Sequence, residues 1–90
     1  MLNRKQKEAT AYELQKNYNQ LPLNKTQILY DLQFQKNQLD HALHVDEKTN
    51  GYDVWKLRDY LEDKVKEFEL AFYEFSILNE NIWYHYDKTW

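Results

Sequence analysis

The chain has only one glycine and one proline among its 90 residues, and this shortage limits the folds that it can adopt. A sandwich or barrel of many short strands needs frequent turns, which glycine and proline usually supply. Hydrophobic residues make up 42% of the chain and aromatic residues 17%. Disordered proteins contain fewer aromatic residues, so this chain can form a packed core. We therefore expect a single all-α domain over residues 1–90, with four to five helices.

Capping residues predict where the first helices begin. Asparagine followed three residues later by glutamine is a capping-box pattern, and it occurs at Asn3–Gln6 and again at Asn24–Gln27. Pro22 should end the first helix, because the residue before a proline avoids the α region. We predict a second helix that runs to about Gln33.

Two further helices follow in the prediction. The third begins at Gln35 or Asn37 and ends near His44, and after a polar loop Asp53 caps a fourth, which runs to about Leu70. The fourth helix has a regular apolar stripe of Val54, Leu57, Leu61, Val65 and Phe68. Its opposite face is expected to be solvated and to carry the charged residues Asp53, Lys56, Arg58, Glu62, Asp63, Lys64 and Lys66.

The C-terminal segment, residues 72–90, is rich in aromatic residues. We expect most of them to pack across the first and fourth helices, namely Phe72, Tyr73, Phe75, Trp83, Tyr84, Tyr86 and Trp90. Asn79 is a candidate cap for a short last helix. Trp55 is expected to be buried against this segment, and the alternative is that it anchors a partner protein.

Residues 24–45 have the pattern of two short helices joined by a corner. Ile28, Leu29 and Leu32 share one helical face, and Phe34 supplies an apolar residue at the corner. On the second helix, another shared face is formed by Leu39, Ala42 and Leu43. This arrangement predicts a central helix-turn-helix, whose second helix can enter the major groove of DNA.

Polar residues on the second helix of this motif are candidates for base contacts. Asparagine and glutamine can pair with adenine, and lysine can donate to guanine. The candidate DNA-binding residues are Gln35, Lys36, Asn37, Gln38 and His41. The alternative is an ordinary solvated helix face.

The charge distribution bears on whether an anion could bind. The net charge of −3 argues against a nucleic-acid partner, whose phosphates are negative. The charges are unevenly distributed, however. Residues 1–45 carry six Lys/Arg and four Asp/Glu, whereas residues 46–90 carry six Lys/Arg and eleven Asp/Glu. The first half is therefore the side that would face DNA. Candidate phosphate contacts there are Arg4, Lys5 and Lys25.

Several classes of function are not expected. The chain has no cysteine, and neither a metal-ligand spacing nor a catalytic arrangement of nucleophile and base is present, so we expect no metal, no cofactor and no enzymatic activity. Its apolar runs are too short to span a membrane, and its polar start differs from a signal peptide. A cytoplasmic location is the resulting expectation.

Two resemblances add to these expectations. The segment D-V-W-x-L-R-D-Y-L at residues 53–61, with ATAYEL before it and FYEFSIL after it, resembles a small uncharacterised bacterial protein family without an established activity. Residues 24–45 also resemble the helix-turn-helix of the Cro and lambda-repressor type, although Leu29 and Gln33 stand where those domains often have a small residue and a glycine.

The sequence thus leads to two hypotheses of function. The first is a small transcriptional regulator that binds double-stranded DNA in a sequence-directed way, with a homodimer or a protein partner as a further expectation. The second is a protein-protein interaction module that has the same helical architecture without DNA binding.

Overall fold

The computed structural model describes residues 2–79 and 90, and the secondary structure of these residues is entirely helical. Its four helices are α1 (Arg4–Asn19), α2 (Lys25–Leu32), α3 (Lys36–His44) and α4 (Gly51–Glu67). The prediction of an all-α domain is confirmed. The predicted last helix, with Trp83, Tyr84 and Tyr86, lies outside the described residues. None of the described helices has the length and apolar character needed to cross a bilayer.

The predicted caps of the first two helices are confirmed. The Asn3 side chain accepts a hydrogen bond from the Gln6 N–H at 2.9 Å, and the Gln6 side chain accepts one from the Asn3 N–H at 2.9 Å. The side-chain oxygen Oδ1 of Asn24 accepts a hydrogen bond from the Gln27 N–H at 2.8 Å. These bonds satisfy N–H groups that a helix start would otherwise leave unpaired.

The start of α4 differs from the prediction. Asn50, not Asp53, is the N-cap residue, and its Oδ1 accepts a hydrogen bond from the Asp53 N–H at 2.8 Å. The predicted cap at Asp53 is therefore wrong, because the Asx pattern begins three residues earlier. The helix also ends at Glu67 instead of near Leu70.

The core lies where the apolar faces of the helices meet. Helix α1 packs against α3 and α4, α3 also contacts α4, and α2 rests on α4. Fully buried side chains include Leu14 of α1, Leu39 of α3 and Leu61 of α4. The predicted stripe of α4 is buried at Val54, Leu57, Leu61 and Val65, whereas Phe68 is 39% exposed because the helix has ended before it.

The opposite face of α4 is not solvated along its first half, so that part of the prediction is wrong. Asp53, Lys56 and Arg58 are all buried. The Arg58 guanidinium donates hydrogen bonds to the backbone oxygens of Leu78 at 2.7 Å and Asn79 at 3.0 Å. The chain after α4 thus folds back over Arg58, whereas Asp53 bonds to Gln38 of α3 and Lys56 to the Leu32 carbonyl of α2.

The same C-terminal segment contacts α1. The Asn17 amide donates to the Tyr73 carbonyl oxygen at 2.9 Å and accepts from the Tyr73 N–H at 3.0 Å. The Glu13 carboxylate accepts bonds from the Ser76 N–H at 3.1 Å and its hydroxyl at 2.8 Å. The expected packing of this segment across the first and fourth helices is thus present in residues 72–79.

The aromatic residues of the segment differ in burial. Phe75 is buried, Phe72 and Trp90 are half-buried, and Tyr73 is 44% exposed. The Trp90 indole stacks edge-on against Tyr60 with ring centroids 5.3 Å apart. Trp55 is buried, as predicted, and Leu78 lines the same cleft.

The full burial of Leu61 leads to a prediction about stability. Leu61→Ala should lower the free energy of unfolding by about 2–5 kcal/mol, because the shorter side chain leaves a cavity in a packed core. Urea unfolding followed by circular dichroism measures this change. The exposed Lys66→Ala is the matched control, and its effect should stay within about 0.5 kcal/mol. Equal effects of the two substitutions would mean that the α4 stripe is not the core.

Candidate functional site

Helices α2 and α3 are joined by a tight connection of three residues, Gln33 to Gln35. Gln33 has a left-handed backbone, with φ 58° and ψ 40°, and its N–H donates to the Tyr30 carbonyl at 3.2 Å. The next N–H, of Phe34, donates to the Leu29 carbonyl at 3.0 Å. These bonds satisfy the end of α2 and turn the chain sharply into α3.

Below this corner, α4 supplies a buried cation. The Lys56 ammonium donates to the Leu32 carbonyl oxygen at 2.9 Å and lies 5.8 Å from the centre of the Phe34 ring. Burial lowers the pKa of Lys56, and the nearby Asp53 carboxylate opposes that shift. The last carbonyl of α2 therefore has a charged partner where the helix dipole favours one.

The start of α3 presents three exposed side chains, those of Gln35, Lys36 and Asn37. The next residue, Gln38, uses both ends of its amide inside the protein. Its Oε1 accepts from the Gln35 N–H at 3.1 Å, and its Nε2 donates to the Asp53 carboxylate at 3.1 Å. Three of the candidate residues thus face solvent, while Gln38 connects α3 to α4.

His41 lies one turn further along α3 and is partly exposed. Its Nδ1 is 2.6 Å from the Asp46 carboxylate, which also accepts from the Lys48 N–H at 2.9 Å. Burial alone would raise the pKa of Asp46, but the bonds from His41 and Lys48 outweigh it and lower the pKa. His41 is therefore oriented by the loop that follows α3.

Lys25 at the start of α2 pairs with α3. Its ammonium lies 2.8 Å from the Asp40 carboxylate, and both side chains are more than a third exposed. The hydrogen bond from Lys25 lowers the pKa of Asp40, against the smaller opposing effect of burial. A surface pair of this kind contributes little stability and can exchange partners.

Arg4, one of the two candidate phosphate contacts on α1, lies beside the other end of α3. A cleft of about 570 Å³ is lined by Arg4 and Lys7 of α1 together with His44, the last residue of α3. Arg4 is highly exposed and pairs with Glu8 at 3.3 Å, and Lys5 is also exposed. Cationic side chains therefore lie at both ends of α3.

The chemistry of these residues is that of hydrogen bonding and charge pairing. Among residues 2–79 and 90, no group of three His, Asp or Glu side chains converges on a point that could hold a metal ion. The ring nitrogen Nδ1 of His44 lies 2.8 Å from the Asp40 carbonyl oxygen, and that of His41 faces Asp46.

Sequence reasoning missed the two buried residues that support this surface, Asp53 and Lys56. Asp53 bonds to Gln38 of α3, and Lys56 bonds to the end of α2, while the exposed Asn50 caps α4 and donates to the Asp53 carboxylate. One signal was present, because Asn50 precedes Asp53 by three residues, the same spacing that identified the caps at Asn3 and Asn24. The burial of Lys56 had no comparable signal.

The left-handed conformation of Gln33 gives a prediction about the corner. Gln33→Gly should raise the free energy of unfolding by up to about 1 kcal/mol, because glycine avoids the steric cost of this conformation. Gln35→Gly is the control, since Gln35 has an extended backbone with φ −80°, and it should be neutral or destabilising. Urea unfolding measures both variants, and a lower stability of Gln33→Gly would contradict the assigned geometry.

The pair between α2 and α3 gives a prediction about pH. In Lys25→Met, the Asp40 carboxyl should titrate at a higher pH, closer to its ordinary value of 3.8, because its donor is removed. The stabilisation from this pair is complete above that value and disappears as the pH falls through the lowered pKa. NMR of the Asp40 carboxyl carbon measures the midpoint. Lys5→Met should leave it unchanged, and an unchanged midpoint in Lys25→Met would rule out the pair in solution.

Comparison with known proteins places this chain in a family. No curated protein and no solved structure matches it. A family model described as an uncharacterized protein conserved in bacteria, DUF2316, matches residues 1–87. The match includes the segment at residues 53–61 and confirms the predicted resemblance to an uncharacterised bacterial family. The chain belongs to the DUF2316 family of conserved bacterial proteins.

Proposed function

We propose that this protein binds double-stranded DNA and acts as a small transcriptional regulator, with α2 and α3 as a helix-turn-helix and α3 in the major groove. The observation that carries the proposal is the exposed start of α3, where Gln35, Lys36 and Asn37 face solvent on a helix held from behind by Gln38 and Asp53. In helix-turn-helix proteins the first residues of the second helix contact base edges.

The connection between the helices supports the same proposal. A join of three or four residues is typical of the motif, and this one has three with a left-handed residue at its start. Gln33 occupies the position where domains of the Cro and lambda-repressor type often have glycine, and it adopts the left-handed conformation that glycine favours. Leu29, the other departure from the pattern, is half-buried.

The candidate residues receive different roles in this proposal. Gln35, Lys36 and Asn37 contact bases, because amide and ammonium groups match the donors and acceptors of the major groove. Gln38 fixes the orientation of α3, since both ends of its amide are engaged. His41 approaches the DNA through Nε2, because its Nδ1 faces Asp46.

Phosphate contacts come from the cations around α3. Arg4 and Lys5 lie on α1, Lys25 begins α2, and the weak surface pairs of Arg4 and Lys25 can be exchanged for phosphates. Each phosphate contact releases counterions, so binding weakens with salt. With these three cations and Lys7, the logarithm of the binding constant should fall with a slope of about −3 to −4 per protomer against the logarithm of the salt concentration.

The second candidate function, a protein-protein interaction module, rests on exposed tyrosines. Tyr12 is 62% exposed and Tyr30 is 77% exposed, and the Lys16 ammonium lies over the rings of Tyr12 at 5.4 Å and Tyr73 at 5.9 Å. Tyrosine is enriched at the centres of protein interfaces. The surface of Tyr12, Lys16 and Tyr73 lies on α1 and the C-terminal segment, whereas Tyr30 lies on α2.

DNA binding is tested by selection from random duplexes at low salt, followed by titration of any enriched site. Lys36→Ala combined with Asn37→Ala should reduce the preference for the selected site over mismatched sites by about 1–3 kcal/mol for each base contact that is lost. The free energy of unfolding should change by no more than about 1 kcal/mol. The matched control is Lys66→Ala combined with Asn79→Ala, which removes the same residue types from exposed positions outside α3 and should leave binding unchanged.

Two outcomes would contradict the proposal. The first is that the unmodified protein enriches no sequence and shows no affinity that depends on salt. The second is that the α3 variant and its control bind the selected site equally well. In either case the protein interaction module becomes the leading hypothesis, and Tyr12, Lys16 and Tyr73 become its candidate surface.

A further inference from the structure

A second cleft, of about 630 Å³, lies between the start of α1, the loop from α3 to α4 and the beginning of α4. We call it the Trp55 cleft. Its apolar wall is formed by Val45, Val54, Trp55 and Leu78, with Leu2 at one side. The volume falls within the range of about 300–1,000 Å³ that is usual for small-molecule sites, and such sites are mostly apolar with a few polar groups.

The polar groups of the Trp55 cleft carry charges of both signs. Lys7 of α1 provides a cation, and Gly51 is the first residue of α4, where the helix dipole is positive. Asp46 and Glu47 in the loop provide two carboxylates. Asp46 is already engaged by His41 and the Lys48 N–H, so the exposed Glu47 is the carboxylate that can accept a ligand cation.

This distribution selects among small ligands. A simple anion would meet Lys7 but would be repelled by Asp46 and Glu47, and a simple cation would meet Glu47 but would be repelled by Lys7 and the start of α4. A purely apolar molecule would contact the apolar wall but would use neither kind of charge. A zwitterion with an apolar side group is complementary to every part of the cleft.

We propose that the Trp55 cleft binds a small zwitterion with an apolar side group, of which an aromatic or aliphatic α-amino acid is the simplest example. Its carboxylate pairs with Lys7 and the N–H groups at the start of α4. Its ammonium group pairs with Glu47. Its side group packs against Trp55, Val54 and Leu78. This inference concerns the protein without DNA and does not depend on the proposed function.

The test uses three compounds that share one aromatic body and differ in charge: L-phenylalanine, 2-phenylethylamine and 3-phenylpropionate. Each is titrated into the full chain and followed by NMR. Gly51 is the only glycine in the sequence, so labelling with ¹⁵N-glycine gives one backbone signal inside the cleft. Methyl labelling of valine adds Val45 and Val54 in the cleft wall, while the fully buried Val65 lies elsewhere in the core and serves as an internal control.

L-Phenylalanine should shift the signals of Gly51, Val45 and Val54 but not of Val65, with a dissociation constant of about 1 mM or lower, as expected for a ligand of this size. The amine and the acid should each bind about two- to fivefold more weakly, because each lacks one charged group that pairs at a partly exposed rim. Equal binding of the three compounds, or no saturable shift with any of them, would overturn the proposal.

Two variants assign the charged contacts. Lys7→Met should weaken L-phenylalanine binding about two- to fivefold and leave 2-phenylethylamine binding unweakened, while Glu47→Gln should weaken L-phenylalanine and leave 3-phenylpropionate unweakened. Lys5→Met is the matched control, since Lys5 is exposed on the same helix and does not line the cleft. If Lys5→Met weakens binding as much as Lys7→Met, general attraction by α1 explains the affinity and the proposal is wrong.

Discussion

The arrangement of this domain depends on three buried polar side chains in the first two turns of α4. Asp53, Lys56 and Arg58 are 7%, 6% and 8% exposed, and each bonds to a different part of the chain. Asp53 accepts a bond from Gln38 of α3, Lys56 donates to the last carbonyl of α2, and Arg58 donates to the carbonyls of the C-terminal segment. A buried charge without such partners would cost several kcal/mol.

Helix α3 is held in place by residues on its inner face, and different residues are exposed on its outer face. Gln38 faces α4, and Leu39 and Ala42 are fully buried, so the position of the helix is fixed on its inner side. Lys36 and Asn37 contribute little to that packing because they are exposed. Residues on an exposed surface of this kind can be substituted without loss of the fold. One scaffold can therefore recognise different partners.

Local sequence signals predicted much of the fold. The caps at Asn3 and Asn24 and the end of α3 near His44 follow from interactions within three or four residues, and these patterns are readable without a structure. The polar face of α4 was mispredicted, because helical periodicity assigns charged residues to solvent unless another segment covers them. Here Arg58 bonds to residues 20 and 21 positions away, and Lys56 to one 24 positions away. No periodic pattern encodes such pairings. The exposure of Lys36 and Asn37 was predictable, but the engagement of Gln38 by Asp53 was not.

The acidic excess of residues 46–90 is the main physical objection to the proposed binding of DNA at α3. The objection is weakened because carboxylates on α4 either accept hydrogen bonds, pair with cations or lie far from the start of α3. Asp53 is close to α3, but it accepts bonds from Gln38 and Asn50. Glu62 and Glu67 pair with Arg58 and Lys64. They lie 9 and 14 residues beyond Asp53, which corresponds to about 14 and 21 Å along the helix axis. The Debye length at physiological salt is about 8 Å, so these carboxylates are largely screened from an anion at the start of α3. For the proposed DNA binding, the exposed Lys36, and Lys25 once it exchanges its Asp40 partner for a phosphate, therefore have more influence than these distant carboxylates.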